Sequence, residues 1–283
     1  MPELPEVEIL ARHLRPLLRG QTIRRVLVRR EKVLRPTPLR RFQKTLTGAT
    51  FTGLTRRGKY LLFKLKTRTA AQPVTLLGHL GMTGRMFVAP RTGSLPKHAA
   101  VVFELGRKRF VYEDTRYFGR LTLDLTASGK LGPEPLAADF TTESFARELK
   151  RSRQAVKIKL LDQTLVAGVG NIYASEALFR ARVSPRLAAN RLKLDQVKRL
   201  RRAVREVLAG AIAGGSTIPL NFGAGKTDGL FYFGSVAGAT DYYEERLRVY
   251  DRAGQACVRC RGPIKRIVQA ARSTFYCPQC QIF

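Results

Sequence analysis

The chain has 283 residues, with 52 Lys and Arg against 21 Asp and Glu, a formal net charge of +31. A surplus of that size excludes a basic partner surface and calls for a polyanion. The positive residues run along the whole chain (Arg24–Arg25, Arg56–Arg57, Arg107–Arg109, Lys150–Lys159, Lys198–Arg205) rather than in one tail, so nucleic acid leads over a membrane surface. A generically basic soluble protein is the plainer alternative. No stretch approaches the ~18 unbroken apolar residues of a spanning helix, and the start of the chain lacks a basic-then-apolar secretion pattern. A cytoplasmic protein with no membrane association is therefore expected. The length suits two or three domains of ~100–200 residues or fewer each.

The chain opens MPELPEVE. Residues 5–18 read as a helix, because Val7, Leu10, Ala11, Leu14, Leu17 and Leu18 recur at helical spacing. Pro5 suits the first turn, and Gly20 stops the helix. The opening has two readings. Pro and Glu are ordinary at a helix start, where acid complements the helix dipole. Alternatively, once Met1 is removed, Pro2 presents a secondary amine with a pKa near ~7.7–8.0, partly neutral at pH 7. Such an amine attacks carbon electrophiles, and with a carbonyl carbon it gives a cationic iminium, an electron sink. Glu3 and Glu6 would lie one turn apart near that amine, one as acid–base catalyst and one steadying the cation. The stretch alone leaves both readings open.

From about 22 to 125 the pattern changes to short β-branched and aromatic runs separated by turn residues: TIRRVLV, ATFTGLTR, KYLLFKL, PVTLLGHLG, GRMFV, AAVVFEL, RFVYED and RLTLDL. Many short strands at regular spacing predict a β-sandwich or barrel. LGPEPL at 131–136 marks a boundary. Helices follow: TTESFARELKR with capping residues, VKIKLLDQ, NIYASEALFRARV, and a long amphipathic LDQVKRLRRAVREVLAGAIAGG. Gly168 and Gly170 stand just before the helix that starts near Asn171, a place where backbone N–H groups bind phosphate, although glycines before helices are commonplace. Residues 214–241 are Gly-rich and read as a loop.

All four cysteines lie in the last 27 residues, as Cys257-Val-Arg-Cys260 and Cys277-Pro-Gln-Cys280. Two such knuckles close a tetrahedral thiolate site around one Zn²⁺, with an iron–sulfur cluster or disulfides as the alternatives. Four thiolates leave no open position for water, so the ion is expected to be structural, and a tail this short needs it to fold. Arg259, Arg261, Lys265, Arg266 and Arg272 suggest that the tail grips phosphates.

Taken together, MPELPEVE, RRGKYLL at 56–62, HLGMTG at 79–84, the D-x-R-x-F-G stretch at 114–119, LGPEPL, GVGNIYASEALF and STFYCPQCQ resemble the bacterial formamidopyrimidine-DNA glycosylases, in that family's order and over nearly the full chain. The related endonuclease VIII branch typically has PEGPE where this chain has Pro2-Glu3-Leu4-Pro5-Glu6, which favours the oxidised-purine branch. The resemblance implies an α+β protein: an N-terminal helix plus β-sandwich domain (1–135), a helical helix-two-turn-helix domain (136–245) and a C-terminal zinc finger (246–283). It implies a monomeric, nucleoid-associated bacterial enzyme that excises 8-oxoguanine and formamidopyrimidines from damaged double-stranded DNA and nicks the strand by β,δ-elimination. Pro2 is then the nucleophile, Glu3 its acid–base partner and Glu6 a supporting carboxylate. Lys59 is a lysine beside the site that contacts phosphate and assists catalysis. Met82, Arg116 and Phe118 match the family's three wedge residues, and Lys157, Asn171 and Arg272 match phosphate-binding positions. His79 and His98 are read as structural. Two alternatives stand beside this: a relative with its lesion range shifted to oxidised pyrimidines, and a non-catalytic zinc-dependent DNA-binding protein. The chain also departs from the family pattern, in the 214–245 segment and at Asp251, where the family usually has Gly.

Overall fold

The computed structural model describes residues 2–67, 72–215 and 247–282. These form two compact units, residues 2–129 and residues 130–215 with 247–282.

The first unit begins with α1 (Leu4–Leu18), whose Leu4, Val7, Leu10, Leu14 and Leu18 are buried. All eight expected strands form: β1 (Arg25–Val28), β2 (Thr50–Arg57), β3 (Tyr60–Lys66), β4 (Val74–His79), β5 (Gly84–Pro90), β6 (Ala99–Glu104), β7 (Lys108–Asp114) and β8 (Arg120–Thr122). They make two four-stranded sheets, ordered β1-β6-β7-β5 and β2-β3-β4-β8, with every pairing antiparallel. Inward residues of the two sheets meet in an aromatic core. Phe51 of β2 lies edge-on to Phe103 of β6 and Phe110 of β7 at ring-centroid distances of 6.5 and 6.1 Å, and Phe63 of β3 meets Phe110 at 5.4 Å. Edge-to-face packing at these separations contributes beyond the area the rings bury. The architecture is the expected helix plus β-sandwich.

The sequence pattern missed α2 (Leu39–Leu46) and a 3-10 turn at Glu31–Leu34, both inside the stretch read as strands and turns. Pro38 sits at the N-cap of α2, where its missing N–H costs nothing. Only Phe42 and Leu46 of that helix are buried, too few for a clear period. A single short turn, α3 (Thr126–Gly129), ends the unit.

The second unit contains α4 (Thr142–Lys150), α5 (Val156–Leu160), α6 (Asn171–Ala181) and α7 (Leu194–Gly215). Thr141 caps α4, its Oγ1 accepting from the Ser144 N–H at 3.2 Å. The turn before α6 needs its glycine: Gly168 has φ +86°. Gln163 clamps that turn, donating to the Val169 carbonyl at 2.8 Å and accepting from the Gly168 N–H at 2.9 Å. The tail forms a hairpin of β9 (Lys265–Gln269) and β10 (Arg272–Tyr276). Its core of Val249, Cys257, Ile264, Phe275 and Cys277 is continuous with Phe179 of α6. Arg259 fastens the same junction, with its guanidinium 4.7 Å from the centre of the Phe179 ring and a bond to the Phe179 carbonyl at 3.2 Å. The loop expected at 214–241 lies, from residue 216 onward, outside the described residues.

Two tight turns carry residues with side chains where the backbone favours glycine. Asp251, where the resembling family usually has Gly, has φ +58°, a region that Asp tolerates better than most residues. In the β9–β10 hairpin the two-residue loop is Ala270-Ala271, with φ +46° and +58°. This is the turn that normally takes Asn-Gly. We expect Ala271→Gly to stabilise the protein by about 0.5–1 kcal/mol in reversible unfolding. An unchanged or lowered stability would show that the turn is not strained.

Candidate active site

In the first unit the site is built on the start of α1. Glu3 is the N-cap residue and Glu6 the third helical residue, and their side chains form a reciprocal capping box. The Glu6 carboxylate accepts from the Glu3 N–H at 2.6 Å, a short charge-assisted bond. Both carboxylates are almost fully buried, and Pro2, directly before them, is buried as well. Acids at a helix start usually point into water. Two buried ones beside one backbone nitrogen carry a desolvation cost, which the N–H groups of the helix start offset.

Lys59 is brought to the same helix by a specific tie. It occupies the two-residue turn of the β2–β3 hairpin, after Gly58 at φ +56°. Arg56, on that hairpin, donates from Nε to Glu8 of α1 at 2.9 Å, and its Nη1 bonds the Gly58 carbonyl at 3.1 Å. Burial pushes the Glu8 carboxyl up, but bonds from Arg12 and Arg56 outweigh it and hold the group below its ordinary value. Glu8 therefore stays ionised at neutral pH, and the tie loosens only in acid. Lys59 itself is largely buried.

Met82 and Phe118 are exposed, at 42% and 50%, among the few large apolar side chains of the described residues that are. Arg116 is exposed too, its guanidinium 4.7 Å from the centre of the Phe118 ring. Met82 lies in the β4–β5 turn, and Arg116 and Phe118 in the β7–β8 loop. The two loops touch through backbone: a Cβ on Gly81 would come within 2.6 Å of the Gly119 nitrogen. His79, at the base of the first loop, accepts at Nδ1 from the Gly81 N–H at 3.1 Å, and its ring packs 4.9 Å from that of Tyr60. Burial, then the charges of Lys59 and Arg120, push the His79 pKa down to about 4 against the opposing pull of Asp114. His79 is thus a neutral structural histidine.

In the second unit Lys157 is fully buried. Its ammonium donates to Asn171 Oδ1 at 2.6 Å and Thr274 Oγ1 at 3.4 Å. Asn171, the first residue of α6, donates in turn to the Ser273 carbonyl at 2.9 Å. Arg272, next along β10, is exposed. The three expected phosphate residues thus belong to one stretch of structure in which α5, α6 and the hairpin are bonded together.

The four cysteine sulfurs all lie within 4.8 Å of one another, with Cys257–Cys280 at 3.9 Å and Cys260–Cys277 at 3.4 Å. A tetrahedral ion with Zn–S bonds of about 2.3 Å needs sulfurs about 3.8 Å apart, so the donor set fits one zinc. The Cys257 sulfur also accepts from the Arg259 N–H at 3.4 Å, within reach for a thiolate acceptor.

Sequence reasoning missed Glu176. It is buried in α6 and accepts the N–H groups of Arg248, Val249 and Tyr250 at 3.0, 2.9 and 2.8 Å. Its signal was present: one acid inside the otherwise apolar run IYASEALF. It ties α6 to the strand of chain that leads into the zinc-binding tail.

A helix-start carboxylate pair behind a proline, a helical unit and a four-cysteine tail define a DNA-glycosylase architecture. Three domain models match in order: the formamidopyrimidine-DNA glycosylase N-terminal domain at residues 1–121, the formamidopyrimidine-DNA glycosylase helix-two-turn-helix domain at 131–221 and the zinc finger found in FPG and IleRS at 254–282. The formamidopyrimidine-DNA glycosylase of Phenylobacterium zucineum is 42% identical over 304 residues, covering 99% of this chain and all of that one. That of Ligilactobacillus salivarius is 39% identical, covering 100% and 99%. The Lactococcus lactis enzyme in complex with DNA containing N7-benzyl-Fapy-dG superposes with a TM-score of 0.85 at 33% identity, over 99% of each chain. The chain belongs to the formamidopyrimidine-DNA glycosylase family.

The His79 geometry sets a pH dependence. Its folded pKa is about 4 against an ordinary 6.5, so the neutral form is favoured on folding. The stability this contributes is complete above pH 6.5 and is lost as the pH falls from 6.5 through 4. Wild type should lose up to about 3 kcal/mol more than His79→Gln over that range. Parallel pH–stability curves for the two proteins would contradict the assignment.

Proposed function

We propose that this protein is a bifunctional DNA glycosylase and AP lyase of base excision repair, acting on oxidised purines in duplex DNA. The observation that carries the reading is the buried carboxylate pair at the start of α1, set directly behind Pro2, with the Lys59 hairpin tied to the same helix through Arg56 and Glu8.

The chemistry follows from these groups. With Met1 removed, the Pro2 nitrogen attacks C1′ of the damaged nucleotide. The bond from C1′ to the base breaks, and the base leaves with the electron pair and takes up a proton. Glu3 protonates O4′ as the C1′–O4′ bond breaks and the deoxyribose opens, which leaves a C1′=N iminium on Pro2, while Glu6, held on the Glu3 N–H, stabilises the positive charge at the Pro2 nitrogen. The iminium makes the C2′ hydrogen acidic. Loss of that proton expels the 3′ phosphate, and a second elimination expels the 5′ phosphate. Lys59 neutralises phosphate and assists proton transfer. The zinc ion takes no part in these steps; it holds the β9–β10 hairpin in shape.

Access to C1′ requires the nucleotide to leave the stack, and something must fill the space. Met82 and Phe118 are apolar groups kept in water at a cost, which suits side chains that enter a base stack. Arg116 suits the orphaned base opposite, which it can meet with hydrogen bonds. Asn171 and Arg272 are the phosphate contacts, with Lys157 fixing Asn171 from below. Catalysis and the wedge are assigned to residues 1–135, and the phosphate contacts to the 136–245 DNA-binding domain and the 246–283 tail. We read the protein as a monomer in the cytoplasm, held near DNA by its charge.

Borohydride reduction in the presence of an 8-oxoguanine duplex should give a covalent protein–DNA adduct with wild type. Pro2→Gly, which replaces the secondary amine by a primary one, should reduce adduct formation, and blocking the N-terminus should abolish it. Duplex binding without any adduct in wild type would overturn the enzyme reading in favour of a binding protein. A lesion panel in the same assay decides the substrate range, and equal or faster cleavage of oxidised pyrimidines would remove the purine assignment. Affinity should also fall steeply with salt, by roughly 10³–10⁵ between 50 and 200 mM if six to ten phosphates are engaged. A flat salt response would contradict the charge argument.

A further inference from the structure

The buried carboxylate of Asp114 has no role in the chemistry above, yet it is fully inaccessible to solvent and has four donors directed at it. Its Oδ1 accepts from Thr83 Oγ1 at 2.6 Å and from the Arg116 N–H at 3.2 Å. Its Oδ2 accepts from the Gly119 N–H at 2.9 Å and the Tyr112 hydroxyl at 3.2 Å. One oxygen therefore holds the turn that carries Met82 and the start of the loop that carries Arg116 and Phe118. The other oxygen holds the end of that loop.

The surroundings leave little freedom. Thr83 Oγ1 also accepts from the Arg116 N–H at 3.3 Å, so the two loops share a three-centre bond. Tyr117, between the two wedge residues of its loop, has φ +53°, which a non-glycine residue keeps only when its neighbours impose it. A Cβ on Gly119 would overlap the Tyr112 hydroxyl and the His79 carbonyl. The five-residue loop is wound around one carboxylate and pressed against the Met82 turn.

We propose that Asp114 is the positioning residue of the wedge: it fixes Met82, Arg116 and Phe118 as one rigid unit before DNA arrives. This rests on the glycosylase reading and on the wedge assignment. The physical reason is preorganisation. Exposed side chains on independent loops would lose conformational freedom on entering a stack, and a shared buried anion removes that cost in advance. A carboxylate suits this centre because it accepts in several directions and donates in none. An amide in its place turns one acceptor into a donor that faces other donors.

The test compares two substrates. Excision of 8-oxoguanine from a duplex needs the wedge, whereas borohydride trapping at an abasic site in a single strand has no stack to enter. Asp114→Asn should slow single-turnover excision from the duplex roughly 10- to 100-fold, the range set by losing hydrogen bonds to a charged group. Trapping on the abasic single strand should stay within about two-fold of wild type. A 2-aminopurine beside the lesion should show a slower fluorescence rise with the variant. Equal losses on both substrates, or no loss on the duplex, would overturn the proposal. Failure of wild type on both substrates would instead overturn the glycosylase reading. If Asp114→Asn does not fold, Thr83→Val removes one donor from the half-exposed Met82 turn. A several-fold loss on the duplex alone is expected there, and no loss or an equal loss overturns the proposal.

Discussion

The constraint on which the rest depends is the burial of two carboxylates at the N-terminus of α1. Glu3 and Glu6 give up hydration, and the helix start compensates them with its own N–H groups, as the 2.6 Å bond from the Glu3 nitrogen to Glu6 shows. That arrangement fixes the backbone directly behind Pro2. It also makes α1 the reference from which the Lys59 hairpin is placed, through Arg56 and Glu8. The sandwich supports it, since Leu4, Val7 and Leu10 of the same helix are core residues.

The same device recurs. Asp114 gathers two loops, and Glu176 gathers the N–H groups of residues 248–250 onto α6. In each case a buried carboxyl group gathers backbone N–H groups, joined at Asp114 by the Thr83 and Tyr112 hydroxyls, and fixes irregular chain that has no sheet or helix to hold it. Burial pushes the Glu176 carboxyl up, even against its three backbone bonds. A protein of net charge +31 keeps these few acids out of its positive surface, where they would weaken attraction for a polyanion. Most cations stay outside for the ligand, Lys59 and Lys157 being buried exceptions, and selected acids sit inside for shape.

Much of this was legible in the sequence. The eight strands followed from alternation and turn residues, and the four long helices from their period. Spacing alone indicated the zinc site, because two Cys-x-x-Cys knuckles leave few other solutions. The joint order of short motifs indicated the family. What stayed hidden depended on contacts between distant residues. Helix α2 buries only Phe42 and Leu46, too few to mark a period. Lys157 matched a phosphate-binding position, and the pattern did not show that its ammonium bonds Asn171 and Thr274, the latter 117 residues away. Asp114 lay in a recognised motif, yet a motif does not show that four donors converge on one carboxylate.

The central claim is that the reactive atom is the backbone nitrogen of Pro2. Peptide mass mapping of the borohydride-trapped complex tests it most directly. A sugar remnant is expected on the N-terminal peptide, which begins at Pro2 with Met1 absent. A remnant on Lys59 or any other lysine, or a trapped protein that still carries Met1, would contradict it.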